Sequence, residues 1–137
     1  WISAEDSAAY ILGYTIANDV TARDLQRKDG QWTRAKGFDT FCPLGPWIET
    51  DVDIADVLIT CRVNGEMRQM ASSREMVFSV PQLIAFASSV MTLEPGDILL
   101  TGTPAGVGPL TDGDRVEVEI EGIGILANGV RSAPPRF

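Results

Sequence analysis

Leu58-Ile59-Thr60-Cys61-Arg62-Val63-Asn64-Gly65-Glu66-Met67-Arg68-Gln69-Met70 is the stretch on which the fold turns. Leu58 to Val63 alternates well enough for a strand with one face buried, and Asn64-Gly65 is a strong signal for a two-residue hairpin turn, since both residues accept the positive φ such a turn requires. Arg68 to Met70 is then the returning strand.

Working outward toward the C-terminus, Ser79-x-x-Gln82 has the spacing of a capping box and opens a helix to about Val90, with Leu83, Ile84, Phe86, Ala87 and Val90 on its apolar side. Pro95-Gly96-Asp97 reads as a turn, Ile98-Leu99-Leu100 as a buried strand, and Thr101 to Pro109 as a Gly-rich loop. Asp112-Gly113-Asp114 turns into a strand over Arg115 to Ile120, which pairs through Gly122 with Gly124 to Val130. Residues 132–137 read as a tail. Toward the N-terminus, Asp29 to Pro46 lacks periodicity and is expected to be a long ordered loop, which in a compact domain is usually functional. A short helix is expected to start at Thr21, with Asp24 as its reciprocal cap. Tyr14 to Ala17 reads as a strand, and Ser3-x-x-Asp6 with Ala8, Ala9, Ile11 and Leu12 as a further short helix broken by Gly13. The sum is α+β: a β-sandwich or rolled, mixed β-sheet with a few short helices, in a single domain over 1–137.

Composition narrows the function. Hydrophobic residues at 45% and charged residues at 22% suit a globular chain of 137 residues, and no apolar run reaches the length of a membrane span. A net charge of −8 argues against nucleic acid and anionic membranes, which demand a basic face. Two cysteines, Cys42 and Cys61, make no disulfide framework, so a cytoplasmic location is the default expectation. The chain has no histidine, so imidazole chemistry must come from residues outside it, and Cys42 lacks the partner that would make a thiolate nucleophile. It opens at Trp1 rather than Met, with a helix start typical of the inside of a domain, and the domain is expected to be incomplete at its N-terminus.

Four segments stand out, the first three of them too unusual in composition to be generic: Asn18-Asp19-Val20-Thr21-Ala22-Arg23-Asp24-Leu25-Gln26, the run from Gln31 through Lys36-Gly37-Phe38-Asp39 to Trp47, Thr101-Gly102-Thr103-Pro104-Ala105-Gly106-Val107-Gly108-Pro109, and Glu119-Ile120-Glu121-Gly122-Ile123-Gly124. Read alone, Asp19 is more readily a cap of the following helix or turn than a metal ligand. Arg23 and Gln26, three apart, share a helix face that is either solvated or substrate-facing. Lys36, with Trp32, Phe38 and Phe41 near it in sequence, is expected to be partly buried. Trp32 and Trp47 read as loop anchors, and Arg34 and Asp24 as salt-bridge partners.

In order and spacing these segments resemble the catalytic domain of the fumarylacetoacetate hydrolase family, from about Glu5 to Val130, with wording closest to small bacterial 2-hydroxyhepta-2,4-diene-1,7-dioate isomerases and acylpyruvate hydrolases. The resemblance implies a divalent ion, Mg²⁺ or else Mn²⁺ or Ca²⁺, with Asp19 as one ligand and a Glu-x-Glu pair supplied from outside this chain. It implies Arg23, Gln26 and Lys36 as catalytic residues around an oxyanion, and Gly102 and Thr103 as substrate-binding. The implied activity is cleavage of a C–C bond in an acylpyruvate-type oxo-acid through an enolate. Isomerisation of 2-hydroxyhepta-2,4-diene-1,7-dioate and decarboxylation of oxaloacetate are alternatives, as is a non-catalytic fragment that binds small oxo-acids. The expected partners are a small oxo-acid and a second copy of the chain in a homodimer.

Overall fold

The structure is a computed structural model that describes residues 1–133. Its centre is an antiparallel sheet in the order β4-β3-β5-β6, with β3 at Leu58–Val63, β4 at Glu66–Ser72, β5 at Arg115–Ile120 and β6 at Gly124–Gly129. The hairpin between β3 and β4 falls at Asn64-Gly65, whose φ angles are 55° and 82°. The returning strand is longer than its alternation announces, because β3 supplies a ladder all the way to Ser72. Asn64 also fastens the hairpin to β5: its Nδ2 donates to Asp114 at 2.8 Å, and its Oδ1 accepts from the Arg115 amide at 2.9 Å.

A second, two-stranded antiparallel sheet joins β1, Tyr14–Ala17, to β2, Leu44–Glu49. It lies against β5 and β6, where Ile16, Ile123 and Leu126 form the buried cluster and Tyr14, Val52, Val118 and Ile120 pack around it. Two antiparallel sheets with a few short helices make the α+β arrangement expected from the sequence. Two short helices, α1 at Arg23–Asp29 and α2 at Thr33–Lys36, fill the segment between β1 and β2.

The longest helix, α3, runs Val80–Val90 with the complete capping box: Ser79 Oγ accepts from the Gln82 amide and Gln82 Oε1 accepts from the Ser79 amide. Replacing Ser79 by alanine is expected to lower stability by about 1 kcal/mol, read as a fall in the urea midpoint at unchanged slope.

Several local expectations are corrected. The segment after Ser3 makes only one 3-10 turn, Ser7–Tyr10, although Ser3 Oγ does accept from the Asp6 amide; Tyr10 and Leu12 lie exposed, so there is no apolar face to sustain more turns. The helix expected from Thr21 begins at Arg23 with Ala22 in the cap position, because the Thr21 hydroxyl is engaged elsewhere. The supposed loop from Asp29 to Pro46 contains α2 and the start of β2: α2 is too short to show a period, and Pro46 sits on a strand that, among the described residues, pairs with β1 alone, where a missing N–H is tolerated. Ile98-Leu99-Leu100 forms no strand among the described residues, and Ile98 is 56% exposed; an apolar run fixes neither period nor partner. On α3 only Ile84 and Ser88 are buried, since the helix packs on little beyond the Ser7–Tyr10 turn and the Ile2 backbone, and Phe86 is 71% exposed. Of the tail expected at 132–137, the Ser132 amide donates to Asp112 Oδ1 at 2.7 Å, and the rest beyond 133 lies outside the described residues.

Candidate active site

The loop leaving β1 is held to α2 by its backbone. The Asn18 amide donates to the Pro43 carbonyl at 3.1 Å and the Ala22 amide to the Ala35 carbonyl at 2.9 Å. Ala35 is completely buried, so α2 has a fixed seat, and the next residue, Lys36, is delivered to the loop. Lys36 Nζ lies 2.5 Å from Asp19 Oδ2 and donates to Thr21 Oγ1 at 2.8 Å, while the Thr21 hydroxyl donates to the Asp19 carbonyl at 3.1 Å. The Lys36 side chain is 28% exposed, which agrees with the partial burial expected of it. Of the aromatics near it in sequence, Phe38 and Phe41 pack on each other with centroids 5.3 Å apart, and Trp32 is 61% exposed. Trp47 does act as an anchor, since its ring lies against Gly124, 3.3 Å from where a side chain there would begin.

Arg23 and Gln26 act as a pair at the start of α1. Arg23 donates to Gln26 Oε1 at 2.6 Å, and the Gln26 side-chain N–H groups meet no acceptor among the described residues. α1 and α2 are clamped by a forked ion pair, in which Arg34 donates twice to Asp29 at 2.7 Å; Asp24, the expected partner of Arg34, is not the one it takes, because α1 ends on Asp29 and turns it toward α2. Those hydrogen bonds from Arg34 hold the Asp29 carboxyl below the usual carboxylate range. A depressed carboxylate favours the folded state above its unfolded pKa, so the clamp is present at neutral pH and lost as pH falls through the lowered value.

Thr103 and Gly102 lie on the Thr101–Pro109 loop, beside β4. Thr103 Oγ1 and the Pro104 carbonyl both accept from Gln69 Nε2, each at 2.8 Å. No hydrogen bond among the described residues joins this loop to the Asp19–Lys36 group. The sequence therefore marks two clusters, and the structure assembles each separately. Thr21 and Gln69 escaped the sequence reading. Thr21 lay inside a quoted motif but resembled a helix cap, and Gln69 had no signal beyond its place on a strand.

The glutamates also find partners. Glu119 accepts from Arg62 at 3.0 Å across β3 and β5, and Glu121 accepts from the Leu58 amide at 3.2 Å. Both serve the sheet. Burial pushes the Cys61 thiol up, away from a nucleophilic thiolate at neutral pH. The described residues contain no group of three or more His, Cys, Asp or Glu side chains placed to hold an ion. A hard divalent cation takes about six or more oxygens, so Asp19 fits as one ligand and these residues alone do not complete a site. A groove between Trp1, Ile2, Ala85 and Ser89 shares no residue with either cluster. No helix among the described residues is long and apolar enough to cross a membrane.

Comparison with known proteins identifies the fold and the family. The chain is 51% identical over 140 residues to the mitochondrial oxaloacetate tautomerase Fahd2a of Rattus norvegicus, covering 94% of this chain and 45% of that protein. The crystal structure of 2-hydroxyhepta-2,4-diene-1,7-dioate isomerase from Mycobacterium marinum superposes with a TM-score of 0.93 at 58% identity, covering 95% of this chain and 52% of that one. Maleylpyruvate hydrolase from Sphingobium sp. SYK-6, in complex with manganese(II) and pyruvate, superposes with a TM-score of 0.86 at 42% identity, covering 95% and 48%. The chain spans about half the length of the curated relatives it matches. Residues 1–131 match the family described as fumarylacetoacetate (FAA) hydrolase, C-terminal, and the chain belongs to that family.

Proposed function

We propose that the whole protein is a divalent-metal-dependent enzyme that cleaves a C–C bond beside a carbonyl in an acylpyruvate-type oxo-acid, through an enolate. The observation that carries this reading is the placement of Lys36 Nζ between the Asp19 carboxylate and the Thr21 hydroxyl, on a loop and helix tied by backbone hydrogen bonds. A cation held in part by Asp19 supplies Lewis acidity toward the substrate's oxo and carboxylate oxygens. Lys36 and the Arg23–Gln26 pair present fixed donors to the oxygen on which negative charge develops, and because they are already oriented they need not reorganise as it does so. Thr103 and the backbone at Gly102 bind the substrate carboxylate. With no histidine in these residues, the base that activates water in a hydrolytic member belongs to another part of the protein.

Hydrolysis, isomerisation and keto–enol exchange of such acids share an enolate, so the same donors serve each. Isomerisation is the second reading, favoured by the higher identity to the isomerase than to the hydrolase. The protein is further proposed to act as a homodimer in the cytoplasm, Mg²⁺ being the preferred ion and Mn²⁺ or Ca²⁺ the substitutes. The test is turnover by the full-length protein of oxaloacetate, an acylpyruvate and 2-hydroxyhepta-2,4-diene-1,7-dioate, before and after EDTA. Activity is expected to vanish with EDTA and return with Mg²⁺ or Mn²⁺; turnover that survives chelation on every substrate removes the metal from the mechanism.

A further inference from the structure

The ladder between β3 and β4 runs in step from Leu58↔Ser72 to Cys61↔Gln69 and then jumps to Arg62↔Met67, leaving Arg68 unpaired. Such a bulge bends the strand and re-aims its neighbours. The Thr101–Pro109 loop seats on it. A side chain at Gly106 would begin 2.0 Å from the Arg68 carbonyl oxygen, and the φ of 104° there also demands glycine. Beside this contact Gln69 Nε2 reaches the Pro104 carbonyl and Thr103 Oγ1.

The identities of these atoms dictate the direction of the bonds. A carbonyl oxygen only accepts, so the end of the Gln69 amide facing Pro104 is its nitrogen, and an amide nitrogen only donates. Thr103 Oγ1, bonded to that same nitrogen, must accept. Its own proton then points away from Gln69, and among the described residues it meets no acceptor, while Thr103 is exposed. We propose that Gln69 is a positioning residue that commits the Thr103 hydroxyl to donating, so that this loop selects an anionic acceptor, a carboxylate oxygen, over groups that can only donate. The inference rests on the reading of Thr103 as a substrate contact.

The experiment uses the full-length protein with oxaloacetate as substrate and four variants: Thr103→Val, Gln69→Met, Gln69→Glu, and Thr103→Val combined with Gln69→Met. Losing one hydrogen bond to a charged group is expected to raise KM about 10-fold in Thr103→Val and in Gln69→Met, with kcat within about 2-fold. The double variant is expected to lie within about 2-fold of Thr103→Val, because the two residues act through one hydroxyl. Gln69→Glu keeps the length of the side chain but accepts the Thr103 proton, and it is expected to raise KM more than Gln69→Met. It also answers the question if the methionine variant does not fold. A rise in KM with Thr103→Val but not with either Gln69 variant, or losses that multiply in the double variant, overturns the role of Gln69 and leaves Thr103 as a substrate contact. An unchanged KM in Thr103→Val overturns both.

Discussion

Replacing Lys36 by methionine in the full-length protein is expected to lower kcat by about 100- to 1,000-fold, the usual cost of removing one preorganised donor to a developing oxyanion, while KM rises by less than about 10-fold. The asymmetry follows from when the charge appears. In the ground state the substrate oxygen is a carbonyl, and an ammonium gains little from it; in the transition state the same oxygen carries negative charge. Methionine matches the stem of lysine in bulk and cannot donate, so packing is preserved. The loss cannot be blamed on unfolding, because an ion pair this accessible contributes no more than about 1 kcal/mol to stability. Steady-state kinetics with oxaloacetate, alongside a thermal melt, separates the two. Wild-type kcat in the variant removes Lys36 from the chemistry.

The second large effect is expected at Asp19. Asp19→Asn keeps the shape of the side chain and an oxygen to accept from Lys36, and removes only the charge. Binding of Mn²⁺ to the full-length protein is expected to weaken by about 100-fold or more, above the range seen when residues merely supporting a ligand are changed, and the response of the activity to added Mg²⁺ disappears. Calorimetric titration with Mn²⁺ reads this directly. Equal affinity in the two proteins would show that Asp19 is a structural partner of Lys36 and not a ligand. The variants also test each other: Lys36→Met frees the Asp19 carboxylate of its counter-charge and is expected to leave Mn²⁺ binding intact or tighter.

What the sequence makes legible follows from the range of the interactions involved. The Asn64-Gly65 hairpin, the Ser79–Gln82 cap and the β1 strand are decided by residues within a few positions of one another, and all stand where the pattern puts them. β2 and the Ile98–Leu100 segment depend on which neighbour is present, and no local pattern says so. The same division runs through the site. Asp19, Arg23, Gln26 and Lys36 are visible because they sit in segments of unusual composition, and in the structure Asp19 pairs with Lys36 and Arg23 with Gln26. That Thr103 meets Gln69, across a bulge and a loop, was beyond any local reading.

The seat of that loop has a consequence for changing the protein. β4 is an edge strand, and an edge with free backbone groups is a template on which another chain can add its own strand. The Thr101–Pro109 loop, backed by Gly106 onto the Arg68 carbonyl, occupies that margin at its bulge. One segment thus carries the Thr103 hydroxyl and covers the sheet's edge at Arg68. In a library randomised across it to find new specificities, the insoluble members should gather at Gly106 and Gln69, and the route to a new substrate runs through Thr103 and its neighbours with those two held fixed.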